Sequence, residues 1–264
     1  MTTLDLLAII YGLAVGVSLG LTGGGGSIFA VPLLVYGLRV PVTTALGLSL
    51  ATVGLTAGLG AALRLRKGEV EWRAAAIFAA AGMLTAPLGT LVGHQIPSAL
   101  LLSAFAFLML YVGLLMWRGR GAENVAPGPC VRLAQGRLLR GCVIRLSAAG
   151  VASGILSGLF GVGGGFIIVP ALLYVTGMSI HRAVPTSLMV IALISISGVA
   201  SHLVHGQTFP MPLTPLFLLG GLAGMLAGNG LRSRFGGPML QRLFGAGMWA
   251  AAAYMLARNL PHFL

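Results

Sequence analysis

Two short runs of this chain concentrate groups that bind anions without carrying a charge. One is GLTGGGGSIFAVP, Gly20 to Pro32, where Gly23, Gly24, Gly25 and Gly26 are bracketed by the hydroxyls of Thr22 and Ser27. The other is GVGGGFIIVP, where Gly161, Gly163, Gly164 and Gly165 follow Ser157. Glycine costs up to about 1 kcal/mol against alanine in a helix interior, so such clusters break a helix. The next helix then starts with backbone N–H groups that have no intrahelical partner and sit at the positive end of its dipole. That is an anion site built from backbone alone, and glycine lets the anion come close. Ser49, Thr186 and Ser187 lie about one turn into the following segments and add O–H donors. The candidate substrate-binding set is therefore Thr22, Gly23, Gly24, Gly25, Gly26, Ser27, Ser49, Gly161, Gly163, Gly164, Gly165, Thr186 and Ser187. Arg39 and Arg182 are the nearest basic side chains that could draw an anion in. The bland readings are that these hydroxyls bond back to their own helices and that the arginines anchor headgroups. Glycines at four-residue spacing, such as Gly16, Gly20, Gly54, Gly58, Gly154 and Gly158, suit close helix packing. The dense clusters exceed what a contact groove needs.

Other motifs carry less. GVSLG (16–20) has the Gly-x-Ser-x-Gly form of a serine hydrolase, but it lies in an apolar helix with no carboxylate partner. GVGGG lacks the strand and the third spaced glycine of a dinucleotide site, and no lysine follows to make a phosphate loop. The expectation is no catalytic residue, no enzyme activity and no cofactor. His202 and His205 are spaced to face one metal, yet no third ligand is evident nearby, so no metal site is expected and an interfacial pair is the plainer reading. His94 and His181 likewise fall at segment ends. The acids are Asp5, Glu69, Glu71 and Glu123, none in the middle of an apolar run. An intramembrane carboxylate relay for protons is thus not expected.

The elements that must position these groups follow from composition. Of 264 residues, 57% are hydrophobic and 8% charged, too few charges to clothe a water-facing surface. Apolar runs recur end to end, so the fold class is all-α, a polytopic membrane protein with about eight hydrophobic segments. The segments read 4–20 and 27–38 around the first glycines, 43–63, 72–93 and 97–117, then 143–160 and 166–177 around the second, 183–204, 212–231 and 238–258. A basic loop, 118–141, separates membrane halves 1–117 and 142–264. The net charge of +12 sits at segment ends, which fits anionic headgroups rather than nucleic acid. No removable signal peptide is expected from the N-terminal sequence. Cys130 and Cys142 are expected to be free thiols in a cytoplasmic loop.

The halves read as repeats. A shift of 138 residues lays 23–50 on 161–188 without gaps, matching Gly23, Gly25, Gly26, Pro32, Tyr36, Ala45 and Ser49 with identical residues. If the Gly-broken first segment of each half turns back, the halves are inverted. Of the 16 basic residues, fourteen then lie inside and two outside, with both termini out.

At these residues the chain resembles the TauE/SafE family of sulfite and organosulfonate exporters. The resemblance rests on a Gly-rich break followed by Val-Pro, at Gly23–Pro32 and Gly161–Pro170, then Ala-x-x-x-Ser-Leu at Ala45–Leu50 and Ala183–Leu188. The first copy has Gly47-Leu48-Ser49 where the second has Pro185-Thr186-Ser187. The resemblance implies transport of small sulfur-containing anions such as sulfite or sulfonates across the inner membrane. Paired breaks in repeated halves imply alternating access around a central site. A passive anion channel is the first alternative reading, ahead of an intramembrane enzyme or an assembly factor. Expected partners are a small anion, the lipid bilayer and a second copy in a homodimer.

Overall fold

The computed structural model describes residues 3–65, 68–117, 140–207, 210–211, 213–231 and 238–259. Most of the basic loop, 118–139, lies outside the described residues, as does Cys130. The described residues form helices and no strands. They are α1 (Thr3–Thr22), α2 (Gly25–Gly37), α3 (Val42–Leu65), α4 (Trp72–Gln95), α5 (Ser98–Trp117), α6 (Arg140–Phe160), α7 (Gly165–Thr176), α8 (Ile180–Val204), α9 (Leu213–Leu231) and α10 (Pro238–Asn259). Six of them (α1, α3, α4, α6, α8 and α9) are long and apolar enough to cross a membrane. At 1.5 Å per residue, the 20 residues of α1 make about 30 Å, a whole hydrocarbon core.

The segment before each glycine cluster forms a helix long and apolar enough to cross a membrane. The cluster lies at the end of α1, where the chain reverses: Gly26 of α2 comes against Ser18 and Leu19, and Gly37 against Tyr11. Each Gly-broken segment comprises a long helix and a short one, divided where the apolar runs 4–20 and 27–38, and 143–160 and 166–177, part. The returning helix α2 is irregular. It opens as a 3-10 turn at Gly25–Phe29 and widens to π at Leu33–Gly37, just after Pro32, which has no N–H to donate.

Helix directions follow from the glycines that seam them. Gly12, Gly16 and Gly20 of α1 meet residues 217 to 229 of α9 in rising order, so these helices are parallel. Gly82, Gly89 and Gly93 of α4 meet Gly150, Ile155 and Leu159 of α6 in rising order as well. A Cβ at Gly16 or Gly89 would strike the facing backbone, which is why small residues occupy these seams. At the centre, α3 and α8 cross in opposite directions: Leu50 meets Gly198, Gly54 meets Ser195, and Gly60 meets Leu188. They begin at Val42 and Ile180, 138 residues apart. Large apolar side chains such as Leu84, Leu88, Ile196 and Leu219 point outward, as lipid-facing residues do.

These directions sort the ends of the molecule. Arg64, Glu71, Arg182 and Asn229 share one end, which is also where α6 begins with Arg140 and Arg145. Arg39, His94 and His202 lie at the other end. So does Arg258, whose neighbour Tyr254 packs on Tyr36 near the close of α2. Cys142 is disulfide-bonded, not the expected free thiol. The expectation came from compartment alone, whereas bonding is decided by which sulfurs the fold brings together.

Candidate functional site

The two glycine clusters meet in the core. Gly24 and Gly165 touch backbone to backbone, so closely that a Cβ on Gly165 would lie 2.8 Å from both Cα and O of Gly24. Positive φ at Gly23 (75°) and at Gly161, Gly163 and Gly164 (65–67°) lets each cluster bend sharply there, where a side chain would be strained. Both clusters press on the central crossing pair. Gly23 abuts Val184 of α8, and Gly161 abuts Leu46 of α3, the residue 138 positions earlier. Gly163 packs against Val53, Ile191 and Ser195.

The first break is largely capped by its own hydroxyls. Thr22 Oγ1 donates to the Ser18 carbonyl at 2.7 Å and accepts the Gly26 N–H at 3.1 Å. Ser27 donates both its Oγ–H, at 2.7 Å, and its N–H, at 3.3 Å, to the Gly24 carbonyl. The donors expected to face an anion just after Gly26 are therefore spent inside the loop. The Ser187 hydroxyl sits 2.8 Å from the carbonyls of both Gly23 and Val184, tying α8 to the break.

The second break is lined differently. Ser153 and Ser157 of α6 flank Gly164, and Ser195 of α8 flanks Gly163. All three are buried, and none of their hydroxyls has a hydrogen-bond partner. Ser49 of α3, one turn before Val53, is buried and unpartnered too. Helix α7 opens at Gly165 with left-handed Gly164 as its N-cap and no side-chain cap. The Gly164 carbonyl accepts from Ile167 and Ile168 at 3.0 and 3.1 Å. The unpartnered hydroxyls of Ser153, Ser157 and Ser195 and a helix N-terminus without a side-chain cap thus surround the second break. Among the described residues the carboxylates, Asp5, Glu69 and Glu71, all lie at segment ends.

Several sequence candidates lie elsewhere. Thr186 donates to the Arg182 carbonyl at 2.6 Å and accepts the Glu71 N–H at 3.0 Å, joining the starts of α8 and α4. The Arg182 guanidinium lies 3.6 Å from the Glu71 carboxylate. Arg39 is exposed, with φ of 55°, at the opposite end. Three residues absent from the sequence set join the site: Ser153, Ser195 and Ser157, the last noted only as preceding the second break. The signal for Ser153 was its four-residue spacing from Ser157, one face of α6. Ser195 carried no such signal.

The histidines also rearrange. His202 and His205 are joined by His94, whose ring centroid lies 5.5 Å from His202 and 5.4 Å from His205. The third partner that the sequence did not offer comes from α4. Among the described residues no three His, Cys, Asp or Glu side chains are arranged to hold a metal ion.

Comparison with known proteins finds a family and relatives of membrane transporters. The profile of the sulfite exporter TauE/SafE family matches residues 8–255. A probable membrane transporter protein of Xylella fastidiosa is 40% identical over 253 residues, covering 93% of this chain and 92% of its own length. One of Haemophilus influenzae is 32% identical, covering 83% of this chain and 81% of its own length. One of Methanocaldococcus jannaschii is 29% identical, covering 75% and 72%. No solved structure matches.

Proposed function

This chain belongs to the TauE/SafE family and is a multi-pass membrane transporter of the inner membrane, and we propose that its cargo is a small sulfur-containing anion such as sulfite or a sulfonate. The observation that carries this reading is the contact of Gly24 with Gly165, beside three buried serines without partners, Ser153, Ser157 and Ser195. Such a site offers O–H and N–H donors and no fixed charge, which suits a weakly held, transported anion.

The two halves act as inverted repeats that rock about this site. Supporting this, α3 and α8 run antiparallel, and their contacts interchange under the 138-residue shift: Gly60 with Leu188, Leu50 with Gly198. The end bearing Arg64, Arg145 and Arg182 is then cytoplasmic, and both termini lie outside. Export is driven by voltage and concentration. An inside-negative potential pushes each negative charge outward by about 2.3 kcal/mol per 100 mV.

The test is labelled sulfite flux in proteoliposomes holding the purified protein. Saturable flux with counterflow, accelerated by an imposed potential, is expected. Flux driven by a pH gradient and indifferent to voltage would remove the export mechanism. Non-saturable flux without counterflow would make the protein a channel.

A further inference from the structure

Resting on that transport reading, we infer that a second anion subsite lies toward the His94–His202 end, in the cleft lined by Thr43, Leu46, Thr90, His94, Gly158 and His202. Its centre is His202. The side chain is 1% exposed, and neither ring nitrogen makes a hydrogen bond of good geometry, the nearest side-chain partner being the Gln207 amide. A buried polar group left without a partner is costly, and such groups in native structures call for an explanation. An imidazole always carries at least one N–H, so His202 offers a donor to an oxyanion in either tautomer.

The surroundings suit an anion. The titratable groups facing His202 are other imidazoles: His94 from α4, and His205 from the turn after α8, with the Gln207 amide alongside. His205 is held by its Nδ1 contact of 2.7 Å to the Ser201 carbonyl and stacks on His94. Both are exposed, so the three rings form a ladder from the surface to the buried His202. The cleft contributes no carboxylate among its lining residues.

The inner wall of the cleft leads to the centre. Gly158 is three residues before the second break, and Leu46 touches both the cleft and Gly161. In this conformation the cleft admits no water-sized sphere, so an anion enters it only as the helices at this end part. The repeat register adds an independent point. The residue 138 positions before His202 is Arg64, also buried, which donates to Asn229 Oδ1 at 2.7 Å near the opposite end. A buried nitrogen donor thus stands at matched positions on either side of the glycine centre, a permanent cation inside and an imidazole outside. The ligand class is a small oxyanion, taken from the central site and released outward.

The test uses the full-length protein purified in detergent, with 35S-sulfite as probe and unliganded thermal stability measured alongside. His202→Leu should weaken sulfite binding at least tenfold while melting within a few degrees of the parent. His202→Gln, which keeps an N–H donor, should bind within about threefold of it. Unchanged sulfite binding in His202→Leu would overturn the subsite and leave the transport reading intact. Zinc chloride that stabilises the parent but not His202→Leu would overturn it in favour of a metal site. A parent protein that neither binds nor transports sulfite would overturn both.

Discussion

Gly165→Ala isolates the meeting of the two breaks. Its φ is not in the left-handed region, so alanine adds no backbone strain and only the close approach is perturbed. The new Cβ would stand 2.8 Å from Gly24 Cα and O, and 2.6 Å from Ile191 Cδ1. The isoleucine methyl can rotate away, but the Gly24 backbone cannot. Carbon contacts are comfortable from about 3.5 Å, so the breaks must separate by roughly 0.7 Å. Overpacking of this kind costs about 1–3 kcal/mol. Borne by the conformation in which the breaks touch, that is roughly a 5- to 150-fold loss of its population, at a factor of ten per 1.4 kcal/mol. Gly58→Ala is the control in the same α3–α8 crossing, because its Cβ would meet Ala192 Cβ at an ordinary 3.7 Å. Initial rates of labelled sulfite flux and melting temperature would be measured for both variants. Gly165→Ala should lose at least five-fold in rate, and Gly58→Ala should stay near the parent in both measures. A parental rate and melting temperature for Gly165→Ala would refute the reasoning, as would equal losses in the two variants.

The paired serines should separate binding from stability. Ser187→Ala loses its bond to Gly23 and should cost about 1 kcal/mol, seen as a lowered melting temperature. Ser49→Ala loses no intramolecular bond, so it should leave melting unchanged or raised while raising the KM for sulfite. Arg182→Ala should move stability by less than about 1 kcal/mol in chemical denaturation, since its 3.6 Å pair with Glu71 is solvent-screened and the arginine is 58% exposed. Cys142 should resist a thiol alkylating agent until the purified protein is reduced, as read by mass spectrometry.

The sequence located the spans because membrane burial is a local property: about 20 apolar residues in a row are visible without knowing their neighbours. The expected 72–93 and 183–204 became Trp72–Gln95 and Ile180–Val204. The breaks were legible for the same reason, since glycine acts on the backbone that carries it. The reversal at Gly23 was not legible, because a glycine run permits either a turn or a kink. Packing of α2 back on α1 decided it.

Side-chain roles were harder to read, and the physics says why. A hydroxyl in or beside a helix always has a carbonyl three or four residues back within reach. Thr22, Thr186 and Ser27 use such acceptors, while Ser49, Ser153, Ser157 and Ser195 do not. Nothing in spacing distinguishes the two groups. His94 is more than a hundred residues from His202 in the chain, and only the parallel course of α4 and α8 brings their rings together. By itself, then, the sequence determined the membrane class, the places where helices stop and the 138-residue correspondence between its parts. Only the tertiary structure decided that the two breaks touch at Gly24 and Gly165, which serines around them are free, and which histidines meet. Those depend on which helix faces pair across the bundle, and face pairing is a property of the whole packing rather than of any segment in it.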